Sequence, residues 1–144
     1  MTLTFYMASD HAGFSLKKAL CEGAFYHFVD RGPMSNTPTD YPDYIQKVVE
    51  DVLKDTHARG ILICGTGIGM CMGANKFPGI RAVVGHTLGE VQLARAHNDA
   101  NILCLGARMM RHEKALKLIK AFHTPFDKGR HIKRLEKLDS LKIE

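Results

Sequence analysis

Short apolar runs alternate along this chain with stripes of helical period. Leu3 to Ala8 is apolar and aromatic and stops at the polar Ser9-Asp10-His11, after which Gly13 to Ala24 sets Leu16 and Leu20 one helical turn apart. Phe25 to Val29 is a second aromatic and β-branched run, closed by Asp30-Arg31-Gly32-Pro33, and the Ser/Asn/Thr/Pro-rich stretch from Met34 to Thr39 reads as loop. From Asp43 onward Tyr44, Ile45, Val48, Val49, Val52 and Leu53 form the stripe of an amphipathic helix. Ile61 to Cys64 is continuously apolar, as a strand covered on both faces must be. A glycine loop follows, Gly65-Thr66-Gly67-Ile68-Gly69, then a short helix from Met70 to Asn75 and a strand from Ile80 to Val84. A helix from Leu88 to Ala96, a strand from Asn101 to Leu105 and a helix from His112 to Phe122 continue the alternation. A final basic helix, about Ile132 to Leu141, spaces Ile132, Leu135, Leu138 and Leu141 three apart.

Five strand-helix units on this spacing predict an α/β fold of the Rossmann-like type, a three-layer αβα sandwich with a five-stranded parallel sheet and an extra C-terminal helix. With 144 residues and 45% hydrophobic content the whole chain, 1–144, is expected to form one domain with a substantial core. The four cysteines, Cys21, Cys64, Cys71 and Cys104, are scattered without metal-binding spacing, which suits reduced thiols in a cytoplasmic protein. The opening residues lack a signal-peptide pattern, and no apolar stretch nears the ~18 residues of a membrane span, so no membrane partner is expected. The net charge of +5 falls largely between Lys114 and Lys142. No nucleic-acid-binding motif accompanies it, and a local surface that meets a small anion is the narrower inference.

In a parallel sheet of this kind ligands gather at the carboxyl ends of the strands, so the loops beginning at Ser9, Asp30, Gly65, Gly85 and Gly106 are the places to look. They bring Asp10, His11, Cys64, Thr66 and Arg108 toward one edge. The glycine loop is neither a Walker A sequence nor a dinucleotide fingerprint; its exposed amides suit an anion, and a tight turn between strand and helix is the plain alternative. Cys64 is the sharper feature, because amide dipoles behind the last residue of a buried strand favour a thiolate able to act as a base. Cys21, Cys71 and Cys104 read as small core hydrophobes. His97 precedes the last strand and therefore belongs to the opposite edge from Cys64; it either meets its own helix dipole or completes a neighbouring subunit's site. Arg130 and Arg134, at i and i+4, can clamp a phosphate or form a solvated basic face.

Ser9-Asp10-His11-Ala12-Gly13, Thr39-Asp40-Tyr41-Pro42, Ile63-Cys64-Gly65-Thr66-Gly67-Ile68-Gly69, Ala74-Asn75-Lys76, Gly79-Ile80-Arg81-Ala82, His97-Asn98-Asp99 and Gly129-Arg130-His131 together resemble the type B ribose-5-phosphate isomerases, in order and from about Thr4 to Leu138. The resemblance implies interconversion of D-ribose 5-phosphate and D-ribulose 5-phosphate in the non-oxidative pentose phosphate pathway, with no cofactor and no metal. It implies that Cys64 moves the proton between C2 and C1 through a cis-enediolate held by the amides of Gly65, Thr66, Gly67, Ile68 and Gly69. Thr66 and His97 would open the sugar ring. Asp10, Tyr41 and Asn98 would meet sugar oxygens, and His11, Arg108, Arg130 and Arg134 the phosphate. It further implies a homodimer with shared sites, or a pair of dimers, in which His97, Asn98 and the segment from about 129 to 144 reach the partner.

One branch of the family carries a Glu just after the glycine loop as its base; Met70 stands there in this chain, which leaves Cys64. Ala8 replaces a commoner glycine, and the stretch around Cys21 to Tyr26 is a few residues short. Related galactose-6-phosphate enzymes divide such residues between two different chains, whereas Cys64 and His97 occur here in one. Two other readings stay open at this point: an isomerase of allose 6-phosphate, and a non-catalytic sugar-phosphate-binding module.

Overall fold

The computed structural model describes residues 3–23 and 26–143. Its elements are β1 (Thr4–Ser9), α1 (Phe14–Glu22), β2 (His27–Asp30), a 3₁₀ turn (Tyr41–Tyr44), α2 (Ile45–Lys54), β3 (Ala58–Cys64), α3 (Ile68–Ala74), β4 (Ala82–Val84), α4 (Leu88–Asn98), β5 (Ile102–Gly106), α5 (His112–Ala121) and α6 (Arg130–Asp139). The strands form one parallel five-stranded sheet in the order β2-β1-β3-β5-β4, the predicted class.

Strand geometry divides the core in two. Alternate residues point to opposite faces, so Phe5, Met7, Ile61, Ile63, Leu103 and Leu105 meet Leu16, Leu20, Leu118 and Phe122 on one side. Ala8, Leu62, Cys64, Ile102 and Cys104 meet Ile45, Val48, Val52, Met70 and Ala74 on the other. Both faces of β3 are therefore apolar, which is why its sequence shows no alternation. Cys64 lies on the α2 and α3 side.

The boundaries differ from expectation where tertiary pairing decides them. β3 begins three residues before Ile61, because Ala58, Arg59 and Gly60 pair with Thr4, Phe5 and Tyr6. β4 is shorter than predicted, pairing only with β5 through Ala82, Val83 and Val84. α4 runs on past Ala96 to include His97 and Asn98, and ends where Asp99 takes φ 47°. α6 starts at Arg130 rather than Ile132 and stops at Asp139. The predicted helix end at Ala24 and strand start at Phe25 lie outside the described residues. No helix among the described residues is long and apolar enough to cross a membrane.

The chain turns from β2 into the long 31–40 loop over a buried cation. Lys17 is 0% exposed, and its Nζ donates to Asp30 Oδ1 and to the Pro33 carbonyl, both at 2.6 Å. Asp30 Oδ1 also accepts from the Gly32 amide at 2.8 Å. A buried ammonium is stable only when it is paired and hydrogen-bonded, so this cluster fixes where the loop begins. Lys17→Met leaves the Pro33 carbonyl without its donor. Removing one partner of a buried pair costs about 3–5 kcal/mol; Asp30 retains a third of its exposure, so about 2–3 kcal/mol is expected, read as a lower midpoint in urea unfolding. A loss below about 0.5 kcal/mol, the usual range of a surface change, would remove Lys17 from this role.

Candidate active site

The connection from β2 returns past β1 to β3, so the strand order reverses between β1 and β3, and open α/β sheets hold ligands in the crevice at such a point. The loops that leave β1, β3 and β5 meet there. Asp10, 8% exposed, donates its amide to the Ile63 carbonyl at 3.1 Å, and its Oδ1 accepts the Gly13 amide at 3.0 Å. His11 reaches the long loop: the Thr39 amide donates to Nδ1 at 3.1 Å, and the His11 amide donates to Thr39 Oγ1 at 3.2 Å. Nδ1 also lies 3.2 Å from the Thr39 carbonyl oxygen, so the ring is held against the Thr39 backbone at both its amide and its carbonyl. A cavity of 510 Å³ opens between His11, Pro38, Thr39, Asp40, Asp43 and Tyr44.

Cys64 is 5% exposed, and the Gly67 amide donates to its Sγ at 3.1 Å. That geometry needs Gly67 at φ 81°, where a Cβ would also lie 3.1 Å from the Leu105 backbone. Thr66 Oγ1 accepts the Ile68 amide at 3.2 Å, leaving other first-turn amides of α3 without an intrahelical partner. At Gly69 the Tyr41 ring takes the place of a side chain, with its hydroxyl 2.9 Å from where a Cβ would stand. Arg108 is set by two backbone bonds, Ala107 amide to Cys64 carbonyl at 2.9 Å and Arg108 amide to Gly65 carbonyl at 3.0 Å. Its guanidinium lies over Gly65. Asp10, His11, Tyr41, Cys64, the 65–69 loop and Arg108 thus share one edge of the sheet.

The remaining expected residues form a second cluster at the other edge. His97 ends α4 and stacks on His131 of α6, ring centroids 4.4 Å apart and planes 16° from parallel. Asn98, Arg134, Leu135 and Leu138 complete a cavity of 370 Å³ with them, and Arg130 is one turn before Arg134 on α6. The edge is locked by Arg95, whose Nε donates to the Thr124 carbonyl at 3.0 Å and whose Nη1 donates to Asp99 Oδ1 at 2.8 Å. Arg81, just ahead of β4, reaches Asp99 Oδ2 at 3.1 Å. These are neighbours of the amino ends of the strands, so within one chain His97 does not meet Cys64.

Three residues escaped the sequence reading. His131 was visible only as part of a motif, and Asp127, whose Oδ2 stands 3.9 Å from His97 Nε2, carried no signal at all. Burial first, then repulsion from His97, Arg130 and Arg134, pushes the His131 imidazole below its ordinary value. Cys71 is the third: rather than inert core, it is half-buried beside the Ala82 carbonyl. Donation from the Cys104 thiol, then from the Asn75 amide, outweighs burial and lowers its pKa to about 7. Burial pushes Cys104 itself well up.

With this geometry in view, residues 5–138 match the family described as Ribose/Galactose Isomerase. The chain belongs to that family. Among its members, the ribose-5-phosphate isomerase B of Escherichia coli is 39% identical over 136 residues, covering 92% of this chain and 91% of that protein. The crystal structure of a ribose 5-phosphate isomerase from Thermotoga maritima superposes with a TM-score of 0.90 at 43% identity, over 96% of this chain and 99% of that one. The ribose-5-phosphate isomerase B of Mycoplasma genitalium, solved with bound ribulose-5-phosphate, gives 0.87 at 37% identity over 96% and 95% of the two chains.

The thiol pair yields a direct check. Because hydrogen-bond donors favour the thiolate, alkylation of Cys71 by iodoacetamide, followed by mass spectrometry across pH, should show a midpoint of about 7. Cys104→Ala removes the leading donor and should move that midpoint upward; an unmoved midpoint would remove Cys104 as the cause.

Proposed function

We propose that this protein is a ribose-5-phosphate isomerase acting through Cys64, and that its site is completed by a second copy of the chain. The observation that carries the reading is the Cys64 sulfur, poised at the rim of the 65–69 loop and accepting the Gly67 amide. A buried sulfur given a backbone donor is held in place facing the loop, and the same loop offers amides to charge that develops nearby on an enediolate oxygen.

In the proposed reaction the ring is opened first, with His97 delivering a proton to the ring oxygen and Thr66 assisting at the anomeric hydroxyl. The Cys64 thiolate then removes the C2 proton of the open-chain aldose. Electrons shift to the C1 oxygen, giving a cis-enediolate whose negative oxygen faces the loop amides. Return of the proton from sulfur to C1, with the C2 oxygen giving its proton to that on C1, leaves the ketose. Asp10, Tyr41 and Asn98 hold the sugar hydroxyls. His11 and Arg108 from one chain, with Arg130 and Arg134 from the other, hold the phosphate, so that binding energy remote from the reacting carbons aligns them.

The need for a partner follows from the two edges. Asp10, Cys64 and Arg108 stand at the carboxyl ends of the strands and His97, Asn98 and Arg134 at the amino ends. A two-fold axis that lays one edge against the other joins both pairs of half-sites at once. α6 supports this assembly, for Leu135 is buried against its own chain while Ile132 and Leu138 remain 42% and 49% exposed. In this reading residues 1–144 are one domain whose last segment docks on the partner, and the protein works in the cytoplasm without metal.

The test is formation of ribulose 5-phosphate from ribose 5-phosphate in EDTA, with allose 6-phosphate run beside it. Cys64→Ala should lower turnover by at least the roughly 10²–10⁴-fold that a positioned base supplies, with unfolding unchanged; substantial residual turnover would end the base assignment. Arg134→Ala should raise KM roughly 10–100-fold, as loss of a charge-assisted hydrogen bond does. Sedimentation during dilution should show activity disappearing with the dimer, and an active monomer would refute the shared site.

A further inference from the structure

His97, Asp127 and His131 come from three separate places in the chain, α4, the loop after α5, and α6. One ligand atom from each lies within 4.8 Å of the other two. His131 is 7% exposed, and no ring nitrogen of either imidazole has a hydrogen-bond partner among the described residues. The Asp127 carboxylate likewise accepts no hydrogen bond from the described residues. Two imidazoles and a carboxylate brought this close are the donor set of borderline transition-metal ions, not of magnesium or calcium, which take oxygen ligands.

We propose that these three side chains form a binding site for a zinc-class divalent ion, and that its occupation inhibits the enzyme by withdrawing His97. The second half rests on the isomerase reading given above; the first does not. A zinc ion at about 2.0–2.1 Å from each donor needs them about 3.3 Å apart in a tetrahedron. From spacings of up to 4.8 Å the contraction required is about 1.5 Å, and one imidazole must turn out of the stack to aim its lone pair at the ion; the His97 and Asp127 side chains, 40% and 56% exposed, have room for that change. The backbone is already arranged for it: the Asp127 amide donates to the Ala96 carbonyl at 2.9 Å, tying the loop to α4 one residue before His97. Lys128 and Gly129, at φ 62° and 56°, then turn the chain so that α6 presents His131.

Three protein donors leave a fourth position for water or a substrate oxygen, the open arrangement of a labile rather than a structural site. Arg130 and Arg134 on the same helix oppose a cation, so binding is expected to be weaker than in a closed four-ligand site. An ion held here has both imidazole nitrogens that face it, and the proton that His97 gives the sugar ring is lost to the metal. Magnesium offers no comparable gain, and the site should ignore it.

The experiment is a titration of EDTA-treated, desalted protein with Co²⁺, read by its visible d–d absorption, and with Zn²⁺ in competition. The expected result is one ion per chain, without sulfur-to-cobalt charge transfer, unchanged in Cys64→Ser and at least tenfold weaker in both His131→Gln and Asp127→Asn. Circular dichroism confirms that each variant is folded, and the second variant stands if the first is not. Zn²⁺ should inhibit isomerisation, EDTA should reverse it, and Asp127→Asn should need at least tenfold more Zn²⁺. Unmutated affinity retained in both His131→Gln and Asp127→Asn, or binding lost in Cys64→Ser, would overturn the site; binding with unimpaired turnover would overturn the inhibition. The titration needs no turnover, so it decides the metal site whether or not the isomerase reading holds.

Discussion

A parallel sheet obliges the chain to climb each strand in one direction and to come back through a helix. All five strands here obey that constraint, and most of the molecule's chemistry follows from it. Whatever follows a strand lies at one edge, and whatever ends a returning helix lies at the other. Cys64, Asp10 and Arg108 follow strands. His97 and Asn98 end a helix. The distance between the two sets is the height of the sheet, and no side-chain choice within one copy can shorten it, so the proposed chemistry is a property of two chains.

Within that frame the glycine loop does two different things. Gly67 takes a conformation that lets its amide turn back onto the Cys64 sulfur, while Gly69 leaves room for the Tyr41 ring. One is a demand on the backbone and the other a demand on space. A side chain at either place would disturb the thiol's surroundings by a different route. The loop from Asp30 to Tyr44, which brings Thr39 to His11 and Tyr41 to Gly69, is in turn held at its root by buried Lys17. The edge that carries Cys64 is thus tied to an ion pair that touches no candidate site residue.

Much of this was legible in the sequence because it is local. Apolar runs and helical stripes depend on a few neighbouring residues, and so does a glycine loop behind a buried strand; these predicted the fold class and the edge that carries Cys64. What stayed hidden was decided at long range. The two extra residues that put His97 and Asn98 inside α4 come from capping at Asp99 and the Arg95 bonds to Asp99 and Thr124. The early start of β3 comes from pairing with β1. Asp127 approaches His97 only because its amide is bound to Ala96. Cys71, on α3, reads as core filler until the sheet brings the Cys104 thiol of β5 beside it.

The separation of Cys64 from His97 also bears on gene dosage. If a working site exists only where two copies meet, then at low expression its number rises with the square of the chain concentration, and at high expression only in proportion. In the low range a twofold change in synthesis would change the number of sites about fourfold, and in the high range about twofold. A modest change in translation, with no change in any catalytic group, would then be amplified in flux while the chain is scarce and passed on in proportion once it is abundant.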